Sequence, residues 1–72
     1  MKVETIKELD IVALLKEIPK KKLVFGQVGT VVHKYDEFNF EVEFTDTNGE
    51  TISEITLNAK DLLLLHYKLE YA

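Results

Sequence analysis

The chain has 72 residues, of which 46% are hydrophobic and 31% charged, and its formal net charge is −4. This length predicts one domain, residues 1–72, that buries about 60% of its surface on folding, and the absence of cysteine excludes disulfides and thiolate metal ligands. The acidic balance argues against nucleic-acid binding as the main activity, because that binding needs concentrated positive charge, and the apolar runs are too short for a membrane span, so a cytoplasmic location is expected.

The first predicted element is a strand in the apolar stretch near the N-terminus. Ile11–Leu15 is a continuous apolar run flanked by Asp10 and Lys16, which is typical of a strand covered on both faces. A helix over Leu9–Ile18 is the alternative, but its apolar residues would lie all around the helical axis. We therefore expect a strand here, followed by a loop over residues 17–24.

The second predicted strand, Gln27–Tyr35, is rich in β-branched residues and begins after Gly26. Gly29 inside this strand indicates a bulge or a sharp bend, as at the corner of a barrel. Both glycines lead into a strand and not into the N-terminus of a helix, which argues against a phosphate-binding loop. Lys20–Lys22 in the preceding loop is the one basic cluster, and we expect it to be a solvated tip.

The central hairpin is the clearest element in the sequence. Apolar residues occupy alternate positions of the third strand: Phe38, Phe40, Val42 and Phe44. Asn48-Gly49 follows, and this dipeptide favours a two-residue type I′ turn in which both residues have positive φ. Such a turn would pair Thr47 with Glu50, and it thereby predicts the register of the strands on either side.

This register divides the side chains of the hairpin between a core face and an outer face. On the core face, the predicted pairs are Val42 with Ile55, Phe40 with Leu57, and Phe44 with Ser53. Val42 and Ile55 are both expected to be buried.

The outer face of the hairpin is predicted to be acidic. The register places Glu43 directly opposite Glu54, with Glu41 alongside, and like charges opposed across two strands are destabilising. Ile52 is predicted to lie across from Thr45 and to point outward. This face is therefore expected to combine three carboxylates with one exposed isoleucine.

The C-terminal part of the chain contains a predicted turn and a predicted fifth strand. Asn58–Asp61 has the chemistry of a short 3₁₀ turn, and Leu62–Tyr71 follows as a strand through about residue 67 or as a short helix. Tyr67, Leu69 and Tyr71 form an apolar stripe with two interpretations. The stripe either closes the core against the first strand or contacts a partner or a second copy of the chain, since tyrosine is enriched at interfaces.

Five short strands and a long first connection predict an all-β fold, a small SH3-like five-stranded barrel with a strong central hairpin, whose closure removes exposed strand edges.

Several segments, in this order, resemble the bacterial domain-of-unknown-function family 4926: LDIVALL at Leu9–Leu15, Pro19, GQVGTVV at Gly26–Val32, FEVEF at Phe40–Phe44, Asn48-Gly49, and ITLNAKDLL at Ile55–Leu63. The resemblance implies a stand-alone SH3-like barrel protein and carries no established catalytic residues. GQVGTVV is also similar to the opening turn of KOW modules and of the nitrile hydratase β-subunit barrel.

Residues with the chemistry of an active site or a metal centre are few. His33 and His66 lie on different predicted elements, and their spacing does not bring them together as metal ligands. Ser53 is the only serine, faces the predicted core, and has no nucleophile motif around it. We therefore expect no catalytic residue, no metal site, no cofactor and no enzymatic activity.

The functional hypothesis depends on the outer face of the hairpin. Glu41, Glu43 and Glu54 around an exposed Ile52 suit the basic surface of another protein. We expect a non-enzymatic protein–protein interaction module, of antitoxin, immunity or inhibitor type, that acts on another bacterial protein. The alternatives are a nucleic-acid-associated barrel of KOW or Tudor type that uses Lys20–Lys22, and a small structural subunit of a larger enzyme.

Overall fold

The computed structural model describes residues 5–65 and contains five antiparallel strands in one sheet. The elements in chain order are β1 (Ile11–Leu14), a 3₁₀ turn (Pro19–Lys21), β2 (Val28–Lys34), β3 (Asn39–Thr45), β4 (Thr51–Asn58), a second 3₁₀ turn (Ala59–Asp61) and β5 (Leu62–Leu64). The spatial order of the strands is β4-β3-β2-β1-β5. The described residues contain no helix that is long and apolar enough to cross a membrane.

The all-β class and the small barrel-like architecture predicted from the sequence are confirmed, but the sheet is not closed within residues 5–65. β4 and β5 form the two edges and are not hydrogen-bonded to each other. β5 has only three residues, which pair with β1. It therefore offers no long ladder to the eight residues of β4, and the described sheet keeps two open edges.

β1 confirms the predicted strand, but the predicted cover on both faces is wrong, because Val28 and Leu63 on its outer side are exposed. It lies between β2 and β5, and its core-facing side chains Val12 and Leu14 are fully buried. Ala13 points to the opposite face and is also buried, between its cross-strand neighbours Val28 and Leu63. Ala13 is therefore buried by its two neighbouring strands and not by a layer packed on the outer face.

β2 contains a bulge, but not at the predicted position. The register with β3 shifts between Val31 and His33, so that Val32 is the extra residue. Gly29 instead pairs regularly with Phe44. A Cβ at Gly29 would lie 2.8 Å from the Phe44 ring and 2.8 Å from Val42 Cγ1. The glycine is therefore required by close packing and not by a bend of the strand.

The predicted register of the central hairpin is confirmed over most of its length. The observed pairs include Val42 with Ile55, Phe40 with Leu57, Phe44 with Ser53, and Glu43 with Glu54. Val42 is fully buried, whereas Ile55 is only half-buried. The prediction that both are buried is therefore wrong for Ile55, whose side chain packs against the core cluster only in part.

The turn of the hairpin differs from the predicted type I′ geometry. Gly49 N–H donates to the carbonyl oxygen of Asp46 at 3.0 Å and Asp46 N–H donates to that of Glu50 at 2.9 Å, which leaves a loop of three residues. Gly49 has a φ of +82°, whereas Asn48 is not among the residues with positive φ. This is the pattern of a three-residue hairpin loop whose last residue is left-handed.

A bulge in β4 compensates for the additional loop residue. Thr45 pairs with Thr51 and Phe44 with Ser53, so Ile52 is left between two pairs. The longer loop moves the register by one residue and the bulge moves it back. For this reason, the pairs farther from the turn match the prediction even though the turn itself does not.

The core lies on one face of the curved sheet. Its buried members are Ile6, Val12, Leu14, Leu23, Val31, Phe40, Val42, Phe44, Leu57 and Leu62. Phe38 continues the alternation of β3 in the sequence, but its side chain is 62% exposed. The Asp36 carboxylate accepts hydrogen bonds from the backbone N–H groups of Phe38 and Asn39 at 2.8 and 2.9 Å. These bonds form a turn that takes Phe38 out of the strand.

Candidate protein-binding face

Three carboxylates meet on the outer face of the β3–β4 hairpin: Glu41, Glu43 and Glu54, here called the acidic face. Glu43 and Glu54 are direct cross-strand neighbours, as the sequence predicted. Glu54 is exposed, and Glu41 and Glu43 are half-buried. The two-residue period of the strands places all three side chains on the side away from the core.

Three hydroxyl groups orient the carboxylates of the acidic face. Glu41 Oε1 accepts hydrogen bonds from the Tyr35 hydroxyl at 3.1 Å and from Thr56 Oγ1 at 2.9 Å. Glu43 Oε2 accepts one from Thr51 Oγ1 at 2.6 Å. Sequence reasoning missed these donors, although threonine near glutamate on a neighbouring strand is a detectable signal once the register is known.

The electrostatics of the face reflect the crowding of like charges. The pKa of Glu54 is raised, first by a hydrogen bond with Glu41, then by partial desolvation and by the negative charges of Glu41 and Glu43. The pKa of Tyr35 is also raised, chiefly because its hydroxyl donates to Glu41. Both shifts indicate that the acidic face favours any group that brings positive charge or a proton.

Ile52 does not occupy its predicted place beside the carboxylates. The bulge removes it from the position opposite Thr45, and its half-buried side chain packs against the core. The expectation that it points outward is therefore wrong. An Ile52→Ala substitution would consequently test core packing and not the centre of a binding site.

His33 borders the acidic face and takes part in local contacts. It pairs with Glu41 across β2 and β3, and its Nδ1 lies 3.4 Å from Glu8 Oε2. Its ring contacts Tyr35 edge to face, with the centroids 4.6 Å apart. Among the residues described, no group of three His, Cys, Asp or Glu side chains could hold a metal ion. His66 lies outside the described residues.

A second surface feature is an open groove near the hairpin loop, with a volume of about 580 Å³. Its apolar lining is formed by Val24, Phe25, Val28 and Ile52. Phe25 is 63% exposed. The sequence analysis did not identify this groove, and the only signal for it was an apolar pair, Val24-Phe25, inside a predicted loop.

The remaining predicted functional residues do not join these surfaces in the described structure. Lys20–Lys22 is exposed as predicted, and it lies on the first 3₁₀ turn and its left-handed C-terminal residue. Lys16, close by in the sequence, forms an ion pair with Asp61 at 3.1 Å. The stripe of Tyr67, Leu69 and Tyr71 lies outside residues 5–65.

Comparison with known proteins identifies the family of the chain. A family model described as Domain of unknown function (DUF4926) matches residues 8–64. No curated protein and no solved structure matches the chain.

Proposed function

The chain belongs to the DUF4926 family, and we propose that it is a non-enzymatic interaction module whose acidic face binds a basic surface of another protein. The observation that carries this proposal is the direct opposition of Glu43 and Glu54, with Glu41 beside them. We further propose that the partner is a bacterial protein that the module inhibits or neutralises, in the manner of an antitoxin or immunity protein.

The acidic face lowers the stability of the free protein, and this gives an energetic reason for it to bind a basic partner. Like charges directly opposite each other on two strands destabilise the pair by some tenths of a kcal/mol. Lysine or arginine side chains of a partner would relieve this repulsion on binding. Such complementary charge also accelerates association and selects against acidic partners.

The hydroxyl donors hold the carboxylates of Glu41 and Glu43 in fixed orientations before a partner binds. Tyr35 and Thr56 both bind Glu41 Oε1, and Thr51 binds Glu43 Oε2. The other oxygen of the Glu43 carboxylate accepts no hydrogen bond from the part of the chain that the structure describes. Side chains held in this way lose less conformational entropy when a partner binds them.

The test is affinity capture from the lysate of the encoding organism at low and at high salt. Wild-type protein should retain a basic protein at low salt and lose it at high salt. The double variant Glu43→Gln/Glu54→Gln should fail to retain it. The double variant Glu17→Gln/Glu37→Gln, which makes the same charge change at two exposed loop positions outside the acidic face, serves as the matched control and should behave like wild type.

The captured protein allows a kinetic measurement with purified components. Glu43→Gln should slow association and weaken its dependence on salt, because the removed charge steers the encounter. Equal retention by the double variant and the wild type would contradict the proposal. Recovery that disappears after nuclease treatment would favour the nucleic-acid-associated alternative.

A further inference from the structure

β4 is the long open edge of the described sheet. It has eight residues and pairs with β3 on one side only. The bulge at Ile52 interrupts its first part and the second 3₁₀ turn begins at Ala59. The regular stretch available to another strand is therefore Ser53–Asn58.

The hydrogen bonds show which backbone groups of β4 face this edge. Ala59 N–H, directly after β4, donates to the carbonyl oxygen of Phe38 at 2.8 Å. The next residue along the chain, Asn39 of β3, directs its carbonyl oxygen away from β4 and towards the β2 side, where it accepts from Tyr35 N–H at 2.9 Å. Because antiparallel pairs alternate between hydrogen-bonded and non-hydrogen-bonded, Ile55 and Leu57 direct their backbone groups towards β3.

The backbone N–H and C=O groups of Glu54, Thr56 and Asn58 consequently point away from β3. They repeat at the two-residue spacing that an added strand requires. None of the described strands pairs with this side of β4. Ser53–Asn58 also contains neither lysine nor proline, two residues that commonly prevent the pairing of an edge strand.

We propose that Ser53–Asn58 of β4 binds an extended, basic segment of the partner protein as a sixth strand of the sheet. This inference rests on the proposed function and states the conformation in which the partner binds, an extended strand. The added strand would direct lysine or arginine side chains towards Glu54 on the outer face. Its alternate side chains would be apolar and would cover the half-buried Ile55 on the core face.

A second copy of the chain is a poorer occupant of this edge. Pairing β4 with β4 of a second copy would bring two acidic faces together, including Glu54 of each chain. Two chains of net charge −4 would also repel each other. Charge complementarity therefore favours a basic strand over self-association.

The probe is an acetylated and amidated octapeptide of alternating lysine and valine, titrated by fluorescence anisotropy and followed by amide hydrogen exchange. In the free protein, the amides of Glu54, Thr56 and Asn58 should exchange rapidly and those of Ile55 and Leu57 slowly. The peptide should protect the first set. The same octapeptide with glutamate in place of lysine should not bind.

Thr56→Pro removes one N–H at the edge while leaving the ladder with β3 intact. It should weaken peptide binding by about tenfold or more, as expected for a blocked backbone hydrogen bond and the steric hindrance beside it. Thr56→Val keeps the N–H and loses the hydroxyl that holds Glu41, so it should weaken binding less than Thr56→Pro, and the difference between the two variants measures the contribution of the N–H. Glu54→Gln should weaken binding and reduce its salt dependence.

N-methylated peptides test the inference on wild-type protein, should Thr56→Pro not fold. Methyl groups on all valine amides block one edge of the peptide and those on all lysine amides block the other. One of these peptides should lose binding and the other should keep it. Equal binding of both, or binding that depends on the glutamates but not on Thr56→Pro, would overturn strand addition and leave the acidic face as the binding site.

Two further outcomes would also overturn the inference. Slow exchange of the Glu54, Thr56 and Asn58 amides in the free, monomeric protein would show that the chain covers its own edge. Concentration-dependent protection of the same amides, together with dimer formation, would show that a second copy is the occupant.

Discussion

At the scale of single residues, Gly29 shows how the absence of a side chain determines packing. Its position leaves room for the ring of Phe44, which a Cβ would approach to 2.8 Å. We expect Gly29→Ala to lower the free energy of unfolding by about 1–3 kcal/mol, because it overpacks a fully buried region. Denaturant unfolding measures this change, and the cost should fall in a Phe44→Leu background, where the ring is gone.

Gly26 provides the control for this prediction. It has a φ of +89° and open space where a Cβ would lie. Gly26→Ala should therefore be destabilising through backbone strain alone, and Gly26→Asn less so, because asparagine tolerates left-handed geometry. Asparagine at Gly29 should give no such relief. A Gly29→Ala variant as stable as wild type would contradict the packing argument.

Glu54 leads to a prediction of how stability depends on pH. Its pKa is raised in the folded protein by Glu41, by partial desolvation and by Glu43. The charged form is therefore disfavoured by folding, and this destabilisation is present at neutral pH and removed as the pH falls through the raised pKa. We expect Glu54→Gln to raise the unfolding midpoint at pH 7, and the gain over wild type to shrink as the pH is lowered towards 4.

Asp36 should show the opposite behaviour in the same titration. Its pKa is lowered, first by the backbone N–H of Phe38 and then by the side chain of Asn39. The stabilisation from this carboxylate is present at neutral pH and lost as the pH falls through its folded pKa. Asp36→Asn should therefore be less stable than wild type at pH 7, with the difference shrinking in acid. Two variants shifted in the same direction at pH 7 would contradict the assignment.

At the scale of elements, the hairpin loop allows a test of its geometry by two adjacent substitutions. Gly49 alone in the loop has positive φ, at +82°. Gly49→Ala should cost about 1–2 kcal/mol from left-handed strain, whereas Asn48→Ala should change stability by less than about 0.5 kcal/mol. Thermal or denaturant unfolding of both variants decides this. An equal cost at both positions would instead support the type I′ turn that the sequence predicts.

The same loop explains why the predicted register of the hairpin is correct although the predicted type of turn is not. The Asp46 carboxylate accepts hydrogen bonds from Asn48 N–H at 2.8 Å and Glu50 N–H at 3.0 Å, which stabilises the longer loop. The bulge at Ile52 then restores the register required by the apolar alternation of β3 and β4. Burial of Phe40, Val42 and Leu57 therefore dominates over the local preference of Asn48-Gly49.

At the scale of the whole molecule, the distribution of charge leads to a prediction about nucleic acid. The net charge is −4, and the exposed Lys20–Lys22 cluster is confined to a single turn. We expect no measurable binding to mixed-sequence DNA or RNA at about 150 mM salt, because weak non-specific complexes lose affinity steeply with ionic strength. Filter binding or anisotropy with labelled duplexes and single strands measures this.

A charge-neutralising variant completes the test. Replacing Lys20, Lys21 and Lys22 with glutamine should not slow association with the protein partner, and it should accelerate association if these lysines repel the basic partner. A salt-resistant complex with nucleic acid that this triple substitution abolishes would contradict the interaction-module proposal and support a KOW- or Tudor-like role.

The sequence by itself determined the strands, their order along the chain and most of the register of the hairpin. The period of two in β3 is a local property, and Phe40, Val42 and Phe44 can all be buried only when β3 presents one face to the core. The opposition of Glu43 and Glu54 follows from the same register. Half of the candidate site could therefore be predicted before any tertiary contact was known.

Only the tertiary structure decided where strands bulge, which strand forms an edge, and which donors hold the acidic face. Ile52 packs against the core and does not point outward, because the loop is one residue longer than predicted and β4 has a compensating bulge. Gly29 is required because the Phe44 ring of β3 packs directly against it. Tyr35 follows β2 directly and its hydroxyl reaches Glu41 on β3, a contact between residues that no local pattern pairs. Such features depend on how side chains from separate segments pack together, and periodicity within one segment carries no information about that packing.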